Sequence, residues 1–254
     1  IGQDILFSAR NELYMHLPYL DAALCALRFQ PGGGVTQTLA TDGEMLWYSG
    51  AYLSDRFLRS PIWTNRIYLH TVLHCMLRHL TKKQGLAPRL WDLACDTAVE
   101  SILDGLDSPC LRQSAGPKRQ KFYNECLRSM PVLTAEGIYR HLLRLRPSEY
   151  ELAQLETCFF SYDHSLWAPD EQDDRERDER QDKHWRSLSE KAQTGMETML
   201  ASQAEGGGDV LEQLRAAIRD DVDYRAFLRR FAAPREILAI DGDGFDYVFY
   251  TYGL

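Results

Sequence analysis

The chain has no C-x-x-C pair. Its six cysteines (Cys25, Cys75, Cys95, Cys110, Cys126 and Cys158) stand singly, which offers neither a zinc knuckle nor a disulfide framework, and they read as buried free thiols. No apolar run approaches the ~20 residues that span a bilayer, and the start Ile1-Gly2-Gln3-Asp4 is not a signal peptide, so a cytoplasmic protein is expected. Positive charge is in deficit. With a formal net charge of -8 the chain would on average repel phosphates, which argues against nucleic acid as a partner. The triple glycine Gly32-Gly33-Gly34 is followed by no Lys-Ser/Thr and opens no helix, so it is a turn and not a phosphate loop. Asp241-Gly242-Asp243-Gly244 lacks the spacing and the closing glutamate of a calcium loop.

What is present is ordinary for a folded protein. The 254 residues, 44% hydrophobic and 26% charged, suffice for one large domain or two modest ones with a real core. Apolar spacing over residues 4–29, interrupted by Pro18, predicts a kinked helix or two short ones. Two β-prone runs, 35–39 and 45–48, flank Thr41-Asp42-Gly43 and predict a hairpin. Short helical signals follow at 54–59 and, capped by Thr134, at 134–145. Residues 118–121 form a basic patch that reads as solvated surface. A polar insertion over about residues 168–184 leads into an amphipathic helix from Trp185 to Ala201. Further helices are expected over 209–218 and 224–231, with β-prone runs beyond 236. The fold class is therefore α+β, mainly helical, with a small sheet near the N-terminus.

The chemistry concentrates between Tyr68 and Asp104. Leu69, Val72, Leu73, Met76, Leu77 and Leu80 make an amphipathic helical pattern. His70 and His74, one turn apart, lie about 40° from each other around the helix axis and can converge on one ion, at the edge of the apolar stripe where a cleft would run. His79 points about 180° away from His70 if the helix continues, and drops out. After a turn containing Gly85 and Pro88, a second helix over 90–103 carries Asp92, Asp96 and Glu100 at four-residue intervals. If the helices pack antiparallel, Asp96 reaches the histidine pair as an oxygen ligand. Zinc peptidases place a glutamate after the first histidine to take a proton from metal-bound water; here that residue is Thr71, which cannot. Asp163-His164-Ser165-Leu166-Trp167 could add a further ligand or proton donor.

Taken together, residues 69–80 around His70, Thr71 and His74, residues 90–100 around Asp96, the segment Asp163 to Trp167, and residues 245–254 resemble a bacterial family of metallopeptidase-like domains that precede a von Willebrand factor type A domain. The resemblance implies a zincin-like helical core and partnership with an AAA+ ATPase of the MoxR kind. It also implies that His70 and His74 are the metal-binding histidines and Asp96 the acid of the second helix; Asp92, Glu100 and His164 are read from their positions as candidates to stand around them. Active members have glutamate where this chain has Thr71. On this view residues 1–235 form the metallopeptidase-like domain. Residues 236–254 would lead into a type A domain, as the apolar ending of the chain also suggests.

Three readings follow. The first is a degenerate, non-catalytic zinc peptidase scaffold, a pseudoenzyme acting as a binding or adaptor module for the ATPase. The second is an active zinc hydrolase whose base is supplied by Asp92, Glu100 or His164. The third is a metal-free helical interaction domain.

Overall fold

A computed structural model describes residues 1–83, 85–106, 108–159, 163–167 and 175–202, and all of them fall within the unit Ile1–Arg219. The segments expected at 209–218, 224–231 and 236–254, and residues 168–174 of the polar insertion, lie outside the described residues.

Ile5, Leu6, Ala9 and Leu13 form the buried face of α1 (Gly2–His16). The helix stops where Leu17 precedes Pro18, because the proline ring disfavours helical dihedrals in the residue before it; Leu17 takes φ -132° and ψ 60°. A 3-10 turn (Pro18–Leu20) then leads into α2 (Asp21–Leu24), so the kinked pair is borne out. Its expected extension to Phe29 is not: β1 (Arg28–Pro31) begins there. The hairpin turn is where Asp42-Gly43 placed it, joining β2 (Leu39–Thr41) to β3 (Met45–Tyr48) in antiparallel register. Asp42 Oδ1 accepts from the amides of Glu44 and Met45, and Gly43 takes φ 89°, which a side chain would resist. Of the expected first strand only Leu39 pairs, while β1 adds in parallel to β3, giving the sheet order β1-β3-β2.

The chain then turns helical. α3 (Gly50–Arg59) is capped by Ser49, whose side chain accepts from the Tyr52 amide. α4 (Pro61–Met76) starts on a proline, which suits the first helical position because it has no N–H to leave unpaired. From Thr64 to Met76 every residue of α4 is buried, since α1, α3, α5 (Pro88–Gly105) and α9 (Arg175–Ser202) all pack on it. This corrects the expectation that the histidine pair sits at the edge of a cleft-lining stripe. α5 contributes Trp91, Leu93, Ala94, Ala98, Val99 and Ile102 to the same core. α6 (Pro117–Leu127) has no counterpart among the sequence expectations. α7 (Ala135–Leu145) packs on α5, and α8 (Glu149–Phe159) follows. A 3-10 turn (Ser165–Trp167) precedes α9, which starts within the polar insertion at Arg175 and buries Trp185, Leu188, Ala192 and Met196. The fold class stands as read: mainly helical, with a three-stranded sheet near the N-terminus. No described helix is long and apolar enough to cross a membrane.

Two helix starts differ in a testable way. The Thr134 hydroxyl accepts from the Gly137 amide at 3.2 Å, whereas Ser60 at the head of α4 makes no capping bond. Thr134→Ala should cost about 1 kcal/mol of unfolding free energy. Ser60→Ala should cost clearly less, as read from urea denaturation midpoints.

Candidate metal centre

Pairings along the two helices set their relative direction. Arg66 meets Glu100 and Asp104 at 2.7 Å each, His70 meets Asp96 and Glu100, and His79 lies against Trp91. Residues early on α4 thus face residues late on α5, so the helices are antiparallel, the arrangement that brings Asp96 to the histidines. All of Asp92, Asp96 and Glu100 lie on the side of α5 toward the site, but they do different things.

Asp96 is the centre. Its Oδ1 lies 3.2 Å from His70 Nε2 and 3.1 Å from His74 Nε2, and these two nitrogens are 2.7 Å apart. All three side chains are completely buried, with relative exposure of 0%. The same Oδ1 lies 3.1 Å from His164 Nε2. Asp92 stands further out: its Oδ2 is 3.9 Å from His164 Nδ1, and Lys83 Nζ is 3.2 Å from its Oδ1. Glu100 supports His70 from behind, its Oε1 lying 2.8 Å from Nδ1. Its other oxygen binds Arg66 and Arg119, and Arg119 also pairs with Asp104 at 2.8 Å. The basic patch 118–121 is therefore not wholly solvated surface, because Arg119 turns inward to neutralise two carboxylates.

Thr71 occupies the place of the peptidase glutamate. It is completely buried, and its Oγ1 donates to the Ile67 carbonyl one turn back at 2.9 Å. The hydroxyl is spent on its own helix and offers the site nothing.

His79 is a correction. The expectation that it points away assumed an unbroken helix, but α4 ends at Met76. The Arg78 amide donates to the Cys75 carbonyl at 3.0 Å and the His79 amide to the His74 carbonyl at 3.1 Å. These are the paired bonds of a Schellman ending, with Arg78 left-handed at φ 57° where glycine is usual. Arg78 is held in that conformation by Asp182 of α9, 3.1 Å from its Nη1. The turn swings the His79 ring back onto His74, with the two Nδ1 atoms 2.9 Å apart.

His164 reaches the site by way of the sheet. The Asp163 amide donates to the Leu39 carbonyl of β2 at 3.1 Å, and Thr36 Oγ1 donates to Asp163 Oδ2 at 2.8 Å. Asp163 Oδ1 accepts from the Ser165 amide and starts the 3-10 turn. Trp167 closes over the pair, its ring 4.0 Å from that of His164 and 4.8 Å from that of His74.

The protonation states follow from these partners. Burial opposes a charge on His70, but hydrogen bonds to Asp96 and Glu100 overcome it and raise its pKa to about 9. Burial, reinforced by the charge on His70, lowers His74 to about 3, and His79 falls well below the ordinary histidine value for similar reasons. Against burial, His164 and then the hydrogen bond from His70 hold Asp96 well below the usual carboxylate range. Burial likewise opposes ionisation of Glu100, yet His70, Arg119 and Arg66 bring it down to about 2. One proton assignment satisfies the contacts. His70 carries protons on both nitrogens, giving Nδ1–H to Glu100. Neutral His74 keeps its proton on Nδ1, donating to His79, and turns its Nε2 lone pair toward His70 and Asp96.

That assignment tests whether the residues fit a cation. The His74 Nε2 lone pair and the Asp96 carboxylate face each other at 3.1 Å with the His70 proton between them. Asp96 Oδ2, also buried, has no hydrogen-bond partner among the described residues. Two imidazole nitrogens and a carboxylate converging in the interior, two of them braced from behind by Glu100 and His79, suit a borderline divalent ion such as zinc. The two antiparallel helices thus present His70, His74 and Asp96 as a buried candidate metal site. A family model described as "putative metallopeptidase domain" matches residues 4–231, and the chain belongs to that family. No curated protein and no solved structure matches the chain.

Sequence reasoning excluded His79 and missed Arg66 and Arg119. Arg66 had a signal, since it precedes His70 by one turn and so shares its helix face. His79 had none, because the helix ending is held by Asp182 from 104 residues away.

The Glu100 shift sets an acid dependence. A carboxyl held at about 2 instead of 4.5 gives stability that is complete above pH 4.5 and lost as pH falls toward 2. Glu100→Gln should destabilise the chelator-treated protein by about 3 kcal/mol at pH 7, since it leaves buried Arg66 and half-buried Arg119 short of a counter-charge. The gap between variant and parent in urea midpoint should then narrow steadily below pH 4.5.

Proposed function

We propose that this chain is a metal-binding, hydrolytically silent metallopeptidase-like domain, in which His70, His74 and Asp96 hold a divalent ion, zinc by the chemistry of the donors. The observation that carries the reading is one buried Asp96 oxygen facing the Nε2 atoms of both histidines while Thr71 is bonded to its own helix backbone. A bound ion supplies positive charge to Asp96 and Lewis acidity toward any oxygen that reaches it. Glu100 and His79 orient the two imidazoles, and Arg66 and Arg119 keep Glu100 ionised as His70's acceptor. No side chain at position 71 takes a proton from water, so the peptidase step lacks its base. The small sheet preceding the histidine helix supports a zincin-like arrangement of the core. With the chemistry silent, the role left is that of a binding or adaptor module, working with an AAA+ ATPase of the MoxR kind and a type A domain in a longer chain.

Asp92 favours a second reading. Burial raises its pKa, with the charges of His164 and Lys83 working the other way, and it lies beside His164. A carboxylate so placed is the best substitute base for an active hydrolase among the described residues.

Elemental analysis of the purified chain should find about one zinc per molecule, and His70→Ala should lose most of it. Equal, negligible zinc in both would end the metal-binding reading. Against a broad peptide library neither the parent nor Asp92→Asn should show turnover. Cleavage by the parent that Asp92→Asn abolishes would install the second reading instead. Titration with a MoxR-type ATPase should give saturable binding, and its absence would remove the partner from the proposal.

A further inference from the structure

The metal-binding reading above names three ligands, and its cluster leaves His164 unassigned. Four features of that residue go further than a neighbour's would. Its Nε2 lies 3.1 Å from Asp96 Oδ1, the same atom that His70 and His74 approach at 3.2 and 3.1 Å. Its ring is buried, standing 5.3 Å from that of His74 and inclined to it by 71°. A carboxylate lies behind it, Asp92 at 3.9 Å from Nδ1, as Glu100 lies behind His70 and His79 behind His74. Its backbone is fixed to the edge of β2 through Asp163, so the ring is delivered by a different part of the fold from the other ligands.

Resting on the metal-binding reading, we propose that His164 is a fourth protein ligand. Three imidazoles and Asp96 then close the coordination sphere. The ion is a structural clamp that fastens α4, α5 and the segment 163–167 together, with no position left for water or substrate. Zinc sites divide on this point: structural ones are filled by four side chains, catalytic ones keep an open position. The surroundings agree with closure. Thr71 supplies no base, Glu100 is engaged by His70, Arg66 and Arg119, and Trp167 packs over both His74 and His164. The clamp also has something to hold. The segment is tied to the sheet by the bridge at Ala40 and the Thr36 hydroxyl, and it carries two buried rings.

Cobalt(II) reports the difference, because its visible spectrum distinguishes four-coordinate sites from those that accept another ligand. The full chain, stripped with chelator and loaded with cobalt, should show a four-coordinate spectrum that excess thiocyanate leaves unchanged. His164→Gln, which keeps the volume but offers a poor ligand, should bind cobalt at least ~10-fold more weakly. Its spectrum should respond to thiocyanate. If thiocyanate shifts the spectrum of the unmodified chain, the site is open and the inference is overturned; this measurement needs no variant to fold. Unchanged cobalt affinity in His164→Gln overturns it as well. Both results leave the three-ligand reading standing, whereas failure of the unmodified chain to bind cobalt at all removes that reading and this one together.

Discussion

The structure depends on a single carboxylate oxygen in its interior. Asp96 Oδ1 is approached by three imidazole nitrogens, and the carboxyl is out of reach of water. A buried ionised carboxylate costs several kcal/mol unless positive charge and hydrogen-bond donors surround it. The buried charged groups between α4 and α5 answer to that requirement. His70 keeps a second proton for Asp96, Glu100 ionises to hold His70, and Arg66 and Arg119 balance Glu100 and Asp104. Tyr123 ends the chain of contacts by donating to Asp104 at 3.0 Å. The result is a charged seam between α4 and α5, walled by Leu69, Val72, Leu73, Ala94, Ala98 and Val99.

The seam explains features that look unrelated to it. Left-handed dihedrals at a non-glycine residue are costly, yet Arg78 adopts them because the Schellman turn they close delivers His79 to His74 and because Asp182 secures the arginine. The three-stranded sheet is too small to be a core of its own. Its contribution is an edge, at Leu39 and Ala40, on which Asp163 hangs the loop that carries His164. Membership of a metallopeptidase-like family fits the histidine spacing and the opposing acid. At residue 71 the hydroxyl is committed to the Ile67 carbonyl, a position adapted to helix packing, which agrees with the proposed loss of the hydrolytic step.

Much of this was legible in the residues. Four-residue spacing placed His70 beside His74, and placed Asp92, Asp96 and Glu100 on one face, because side-chain direction within a helix depends only on the helical repeat. The Gly85 and Pro88 turn made an antiparallel return the economical route, and Asp42-Gly43 marked the hairpin by the dihedrals it tolerates. α6 escaped notice because its apolar residues, Phe122, Tyr123 and Cys126, are few and cluster late in a polar stretch. β1 escaped because a strand of four residues with a mostly exposed pattern carries no alternation to read.

The sequence by itself determined the helical class, the pairing of the histidines with one another, the acid stripe on the following helix and the missing base at Thr71. All of these are properties of neighbours within a turn or two of chain. Tertiary structure alone decided that the site is sealed within the core and not set at a cleft edge, that His79 belongs to it, that Arg119 turns inward, and that His164 meets Asp96. Each of those outcomes is set by a contact between residues far apart in sequence, such as Arg78 with Asp182 or Asp163 with Leu39, and the energy of such a contact has no trace in local periodicity.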